Sequence, residues 1–245
     1  MGIYERDYYR TPSPRGGLGM FDMWSITTWL IAINVTVFFL DIVFQGSLTQ
    51  WGYFSIYTAI GHWQLWRFIT FQFLHLRGKF SHILWNMVGL YFFGPIVEQY
   101  LGARRYLVFY LLSGIGGALG YFVLNYAGFL NNGPLTSLVG ASAGIFGVIV
   151  GAALIAPDIQ IVLLFPPIPL RLRTLAWICV GLAVYTVFSN GANAGGEASH
   201  LGGALVGLIL IKNIQWLDFV QPRRPRMRFN GRRVPTKDWS KDFNR

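Results

Sequence analysis

Charge is scarce in this chain and cysteine is nearly absent. Only 12% of the 245 residues are charged, where a soluble domain carries about 25%. That shortage argues against an ordinary water-facing globule. The single cysteine, Cys179, excludes a disulfide framework within the chain, and there is no Cys/His cluster to hold a metal. It is read as a small packed hydrophobe inside an apolar run. No internal repeat or low-complexity tract stands out. No small-residue cleavage site follows the first apolar run, which is also longer than a signal h-region. Residues 1–22 are therefore expected to persist as a polar tail.

What fills the chain instead is apolar and small. Apolar residues make up 53%, aromatics 17%, and there are 29 glycines. Small residues let membrane helices approach closely, and aromatics anchor the interfaces. Six runs are long enough to predict spans: Met23–Phe44, Phe80–Tyr100, Tyr106–Ala127, Leu138–Pro157, Leu172–Ser189 and Ala198–Leu217. The fold class is thus all-α, a polytopic six-helix membrane bundle over residues 23–217. A basic tail over 218–245 follows it.

Lys and Arg orient the bundle. With the N-terminus inside, Arg104, Arg105, Arg171, Arg173 and the whole basic tail fall on the inner side. Outside remain only Arg67, Arg77 and Lys79, all in the first loop. Positive charge marks the cytoplasmic face, so both termini are placed there. The tail is read as a topology signal beside anionic head groups. No nucleic acid is expected as a partner, because no recognition module accompanies the charge.

Two connections are unusual. Residues 45–79 form a long outer loop crowded with Trp, Tyr and Phe, predicted to fold as short amphipathic pieces in the interface. The segment "APDIQIVLLFPPIPLRLR" is apolar but carries Pro157, Pro166, Pro167 and Pro169. Such a proline density breaks a helix, so a re-entrant or extended inner connector is expected.

In this topology the second, fourth and sixth spans all begin at the outer surface. Ser142 is placed four residues into the fourth, at about 1.5 Å per residue roughly 6 Å deep. His200 is placed about one turn into the sixth. His82 and Asn86 lie four residues apart on one face of the second. Singly, each has a plain reading: a packing serine, an interfacial histidine, an interhelical asparagine. Together they supply a nucleophile, a base and donors for an oxyanion. Gly140, Ala141, Ala143 and Gly144 leave room around the Ser142 hydroxyl, and the first-turn N–H groups there lack intrahelical acceptors. No third acid is evident. Glu197 is assigned to the loop or to the positive end of the sixth helix, and packing is expected to orient His200.

The set "WRF" at Trp66–Arg67, "HILWN" at His82–Asn86, "GASAG" around Ser142 and "SHLGGALVG" around His200 resembles the rhomboid family of intramembrane serine proteases, over about Trp66 to Leu210. The resemblance implies a serine endopeptidase that cuts transmembrane proteins in or beside their membrane segments by a Ser142–His200 dyad, without cofactor or metal. It implies an oxyanion site of His82, Asn86 and the Ser142 amide. Gly203 and Gly207 resemble the glycines that pack the sixth helix on the fourth. Ala143 stands where many members have glycine, and Phe146 where some have tyrosine; Phe146 can pack under His200 but cannot hydrogen-bond it. His75 and His82 stand two residues further apart than in some relatives. The competing reading is a catalytically inactive rhomboid-like protein that binds or escorts membrane segments. The bilayer and transmembrane substrates are the expected partners, and the expected location is a bacterial inner membrane. The fifth span, with Trp177 and Phe188 as its anchors, and the loop "SNGANAGGEAS" are expected to move as a cap.

Overall fold

The computed structural model describes residues 24–162 and 167–221, together with the backbone of 228–229 and 232–233. The expected polar tail over 1–22 lies outside the described residues, as does most of the basic tail and its charges. The first helix, α1 (Ile26–Val43), is followed by the short α2 (Ser47–Gly52), a π-helical turn (Ile56–Gly61), α3 (Arg67–Thr70) and a 3-10 turn (Phe71–Phe73). Next come α4 (Phe80–Leu101), α5 (Ala103–Tyr126) and α6 (Ser142–Ile155). A hairpin of β1 (Gln160–Val162) and β2 (Pro169–Arg171) leads into α7 (Leu172–Phe188), α8 (Ala194–Lys212) and a 3-10 segment (Ile214–Val220). Two short tail strands, β3 (Arg228–Phe229) and β4 (Arg232–Arg233), pair antiparallel.

The six expected spans are present as six apolar helices. Four of them, α1, α4, α5 and α8, are long and apolar enough to cross a membrane on their own. The other two are shorter: α6 has 14 residues and α7 has 17. At about 1.5 Å per residue α6 rises only about 21 Å, against about 30 Å of hydrocarbon. The described parts of the proline-rich connector, Gln160–Val162 and Pro169–Arg171, are extended, with Ile161 opposite Leu170 in an antiparallel ladder.

Helix ends are tied together by long-range polar contacts. The N-terminus of α1 takes Ser25 as its cap. Two further orphan amides, those of Ile26 and Thr27, donate to the Glu98 carboxylate at 2.6 and 2.9 Å, so α4 caps α1. Only Gly102, at φ +78°, separates α4 from α5, a left-handed turn that a side chain resists. At the other end of α1, buried Asp41 accepts from the Thr49 amide and hydroxyl at 2.8 and 2.7 Å, which fixes α2. The long loop forms short pieces as expected. Buried Arg67 organises them: its guanidinium donates to the carbonyls of Tyr53 and Gln50 and to Gln64 Oε1, and it lies over the Tyr53 ring.

The core is an α5–α6–α8 sandwich of small residues. A Cβ on Gly116 would meet the Val206 side chain, and one on Gly120 would come within 2.7 Å of the Gly202 backbone. Tyr106, Phe109 and Tyr110 of α5 are fully buried, with the Phe109 and Tyr110 rings against Gly151 and Gly144 of α6.

Candidate active site

The chain enters α6 along an extended segment clamped to the outer loop. Leu138 exchanges backbone hydrogen bonds with Phe54, and the Gly140 amide donates to the Phe71 carbonyl at 2.9 Å. Gly140 is at φ +135°, and a Cβ there would lie 3.0 Å from His82 Nε2 and 3.4 Å from Ser142 Oγ. Glycine is thus required twice, for the backbone turn and for the approach of these two side chains. Ser142 is the first residue of α6, not four residues in as expected. The extended clamp, rather than the apolar pattern, sets where the helix starts. Its amide and those of Ala143 and Gly144 fall among the first-turn donors that have no intrahelical acceptor.

A cavity of about 880 Å³ opens above this helix start. Ser142, His200, His82 and Asn86 all line it, so α4, α6 and α8 bring the four together as expected. Residues of α4 and α7, including Trp85, Phe92, Leu175 and Cys179, form its walls. Cys179 is therefore a half-buried wall residue rather than a packed core hydrophobe.

His200 lies nearly two turns into α8, because that helix begins at Ala194 and not at Ala198. Its ring stacks on Phe146, with centroids 4.2 Å apart and planes 13° from parallel. The backbone behind it leaves no slack. A Cβ on Gly203 would come within 2.0 Å of the Ala143 carbonyl oxygen, and one on Gly207 within 2.5 Å of the Gly147 Cα. Packing alone was expected to orient the ring, and Glu197 was assigned to the loop or helix end. Glu197 does lie in the first turn of α8, one of the two places expected for it; what the structure corrects is the orientation by packing alone, because Glu197 Oε2 is 2.8 Å from His200 Nδ1. The earlier helix start puts Glu197 and His200 on consecutive turns of one face.

His82 is held with a defined proton. Its Nδ1 accepts from the Leu76 amide at 3.3 Å, so a neutral ring carries its hydrogen on Nε2, the nitrogen facing Gly140 and Ser142. Behind it stands buried His75, ring centroids 5.2 Å apart. Burial, with His82 beside it, pushes the His75 ring down to about 3, so it adds no charge near neutrality. Asn86 Nδ2 donates to the His82 carbonyl at 2.8 Å, leaving its second N–H for the cavity. The Leu76 amide was missed from sequence, and Glu197, which could share the face of His200, was weighed and set aside. The three-residue spacing of Glu197 and His200 was the available signal; a backbone donor leaves none.

A family model described as "Rhomboid domain" matches residues 62–214, more than half of the chain. The chain belongs to the rhomboid family. It is similar to the "Rhomboid protease AarA" of Providencia stuartii, 29% identical over 206 residues, which covers 76% of this chain and 71% of that one. It is also similar to the "Putative rhomboid protease YdcA" of Bacillus subtilis, 31% identical over 51% of this chain and 59% of the relative. The Arabidopsis thaliana "RHOMBOID-like protein 1" is 31% identical over 74% of this chain and 43% of its own length. The rhomboid chain is an integral membrane protein, and its protease-named relatives support an intramembrane protease function.

Proposed function

We propose that this rhomboid is an intramembrane serine endopeptidase that hydrolyses peptide bonds in or next to the transmembrane segments of other membrane proteins. One observation carries the reading: Ser142, His200, His82 and Asn86, from three helices, line one cavity whose walls are α4 and α7. In this reading the segment to be cut enters between those walls. His200 takes the Ser142 Oγ proton on Nε2 as Oγ attacks the scissile carbonyl carbon. The oxyanion accepts from His82 Nε2–H, from Asn86 Nδ2–H and from the Ser142 amide. The imidazolium returns its proton to the leaving amine. Water, activated by the same nitrogen, then cleaves the acyl-enzyme.

The proposed location is a bacterial inner membrane, with both termini cytoplasmic and the Ser142 end of α6 near the outer surface. The distribution of Arg and Lys supports this orientation. Purified protein in vesicles, given a single-span membrane substrate, should cleave it, and Ser142→Ala should not. Residual turnover above about a hundredth of wild type would assign the nucleophile elsewhere, because removal of the nucleophile in such units costs orders of magnitude more. No cleavage of any membrane substrate by the wild type would favour the escort reading.

A further inference from the structure

Resting on that reading, the structure assigns Glu197 as a positioning residue that completes a Ser142–His200–Glu197 triad. Stacking on Phe146 fixes the plane of the His200 ring. It does not decide which nitrogen faces the cavity, since Phe146 has no polar atom and the ring can turn over within that plane. Glu197 Oε2, 2.8 Å from Nδ1, makes that choice. An ionised carboxylate accepts and does not donate, so Nδ1 carries a hydrogen and Nε2 is left as the free base. When Nε2 takes the Ser142 proton, the imidazolium forms against a negative charge already in place. The proton stays on His200 until the leaving amine takes it, and Glu197 remains ionised throughout.

The setting gives this contact weight. Both side chains are shielded, at 14% and 22% exposure, so their attraction is less screened than that of a surface pair. The other ionisable groups on the cavity are His82 and Lys79 at the start of α4 and Cys179 on α7. Among the described residues only Glu197 hydrogen-bonds the His200 ring. A purely structural role, favouring the positive end of α8, predicts loss of stability and no effect on proton transfer.

The test compares wild type, Glu197→Gln, Glu197→Asp and Ser142→Ala in vesicles, with kcat and KM measured for a membrane substrate. Glu197→Gln should lower kcat about 10- to 100-fold with little change in KM, within the range typical of general-base assistance. Glu197→Asp keeps a carboxylate acceptor for Nδ1 and should recover much of the lost kcat, which also covers the case of a poorly folded glutamine variant. A Glu197→Gln enzyme with the wild-type kcat, or one that loses activity only in proportion to lost folded protein, would overturn the assignment. Inactivity of the wild type itself would instead overturn the protease reading.

Discussion

Two helices flank the Ser142 end of α6, and they approach it by opposite means. α8 meets α6 through glycine: Gly203 sits against the Ala143 carbonyl and Gly207 against the Gly147 backbone, with no space for a methyl group. α7 buries Leu172, Ala176, Ala183 and Val187 but turns a wide face outward. A Cβ on Gly181 would find nothing within 4 Å, and Tyr185 and Phe188 are exposed. The contrast separates two tasks. In the proposed mechanism, keeping His200 beside Ser142 needs a contact that cannot shift, since a small misplacement of reacting groups is costly in rate. Admitting a helix-sized substrate needs a wall that can. The tight contact carries the first, and the loose one suits the second.

Breaking the tight side should have the largest effect. Gly203→Val places atoms inside the Ala143 carbonyl, so α8 must separate from α6. Cleavage should vanish, and overpacking should lower stability by about 3 kcal/mol or more, read as a fall in melting temperature in micelles. An active Gly203→Val would mean that His200 does not depend on this contact.

Next in size are the donors. His82→Ala and Asn86→Ala should each lower kcat by about 10² to 10³, with smaller effects on KM. A change confined to KM would reassign that residue to substrate binding.

The loose side should respond in the opposite direction. Phe188 stacks edge-on against Phe129, ring centroids 5.8 Å apart. Phe188→Ala should release the end of α7 and speed cleavage of a membrane substrate a few-fold. Trp177, expected as a second anchor, is 76% exposed and points away from the bundle, so Trp177→Ala should be silent. Trp85→Cys, crosslinked reducibly to Cys179 across the cavity, should slow the enzyme until reductant is added. Full-rate cleavage by the crosslinked protein would place substrate entry elsewhere.

A separate effect concerns acid. The His75 ring is held down to about 3, against about 6.5 when exposed. Between those values the unfolded chain binds the proton and the folded one does not. Stability is therefore full above about pH 6.5 and falls as pH drops toward 3, by at most about 1.4 kcal/mol per pH unit. Melting of Ser142→Ala between pH 7 and 4.5 should show this, and His75→Leu should flatten the dependence.

The same contrast marks what could be read from sequence. The six apolar runs and the residues of the cavity were legible, because hydrophobic length and the Ser, His and Asn motifs are local signals. Helix starts were not. Whether α6 begins at Leu138 or Ser142 depends on hydrogen bonds to Phe54 and Phe71, more than sixty residues away. Whether α8 begins at Ala198 or Ala194 decides if Glu197 is helical, and with it the contact to His200. The glycine contacts were legible through the resemblance, in which Gly203 and Gly207 match glycines that pack the sixth helix on the fourth. The exposure of Trp177 was not, because an apolar helix with apolar residues all round does not reveal which face meets lipid.

The most direct test of the account is covalent. A fluorophosphonate probe should phosphonylate the purified protein at one site, and peptide mass spectrometry should place the adduct on Ser142. His200→Ala should remove the labelling while leaving a folded protein. Adduct formation on another residue, or equal labelling of Ser142 without His200, would contradict a serine activated by that histidine.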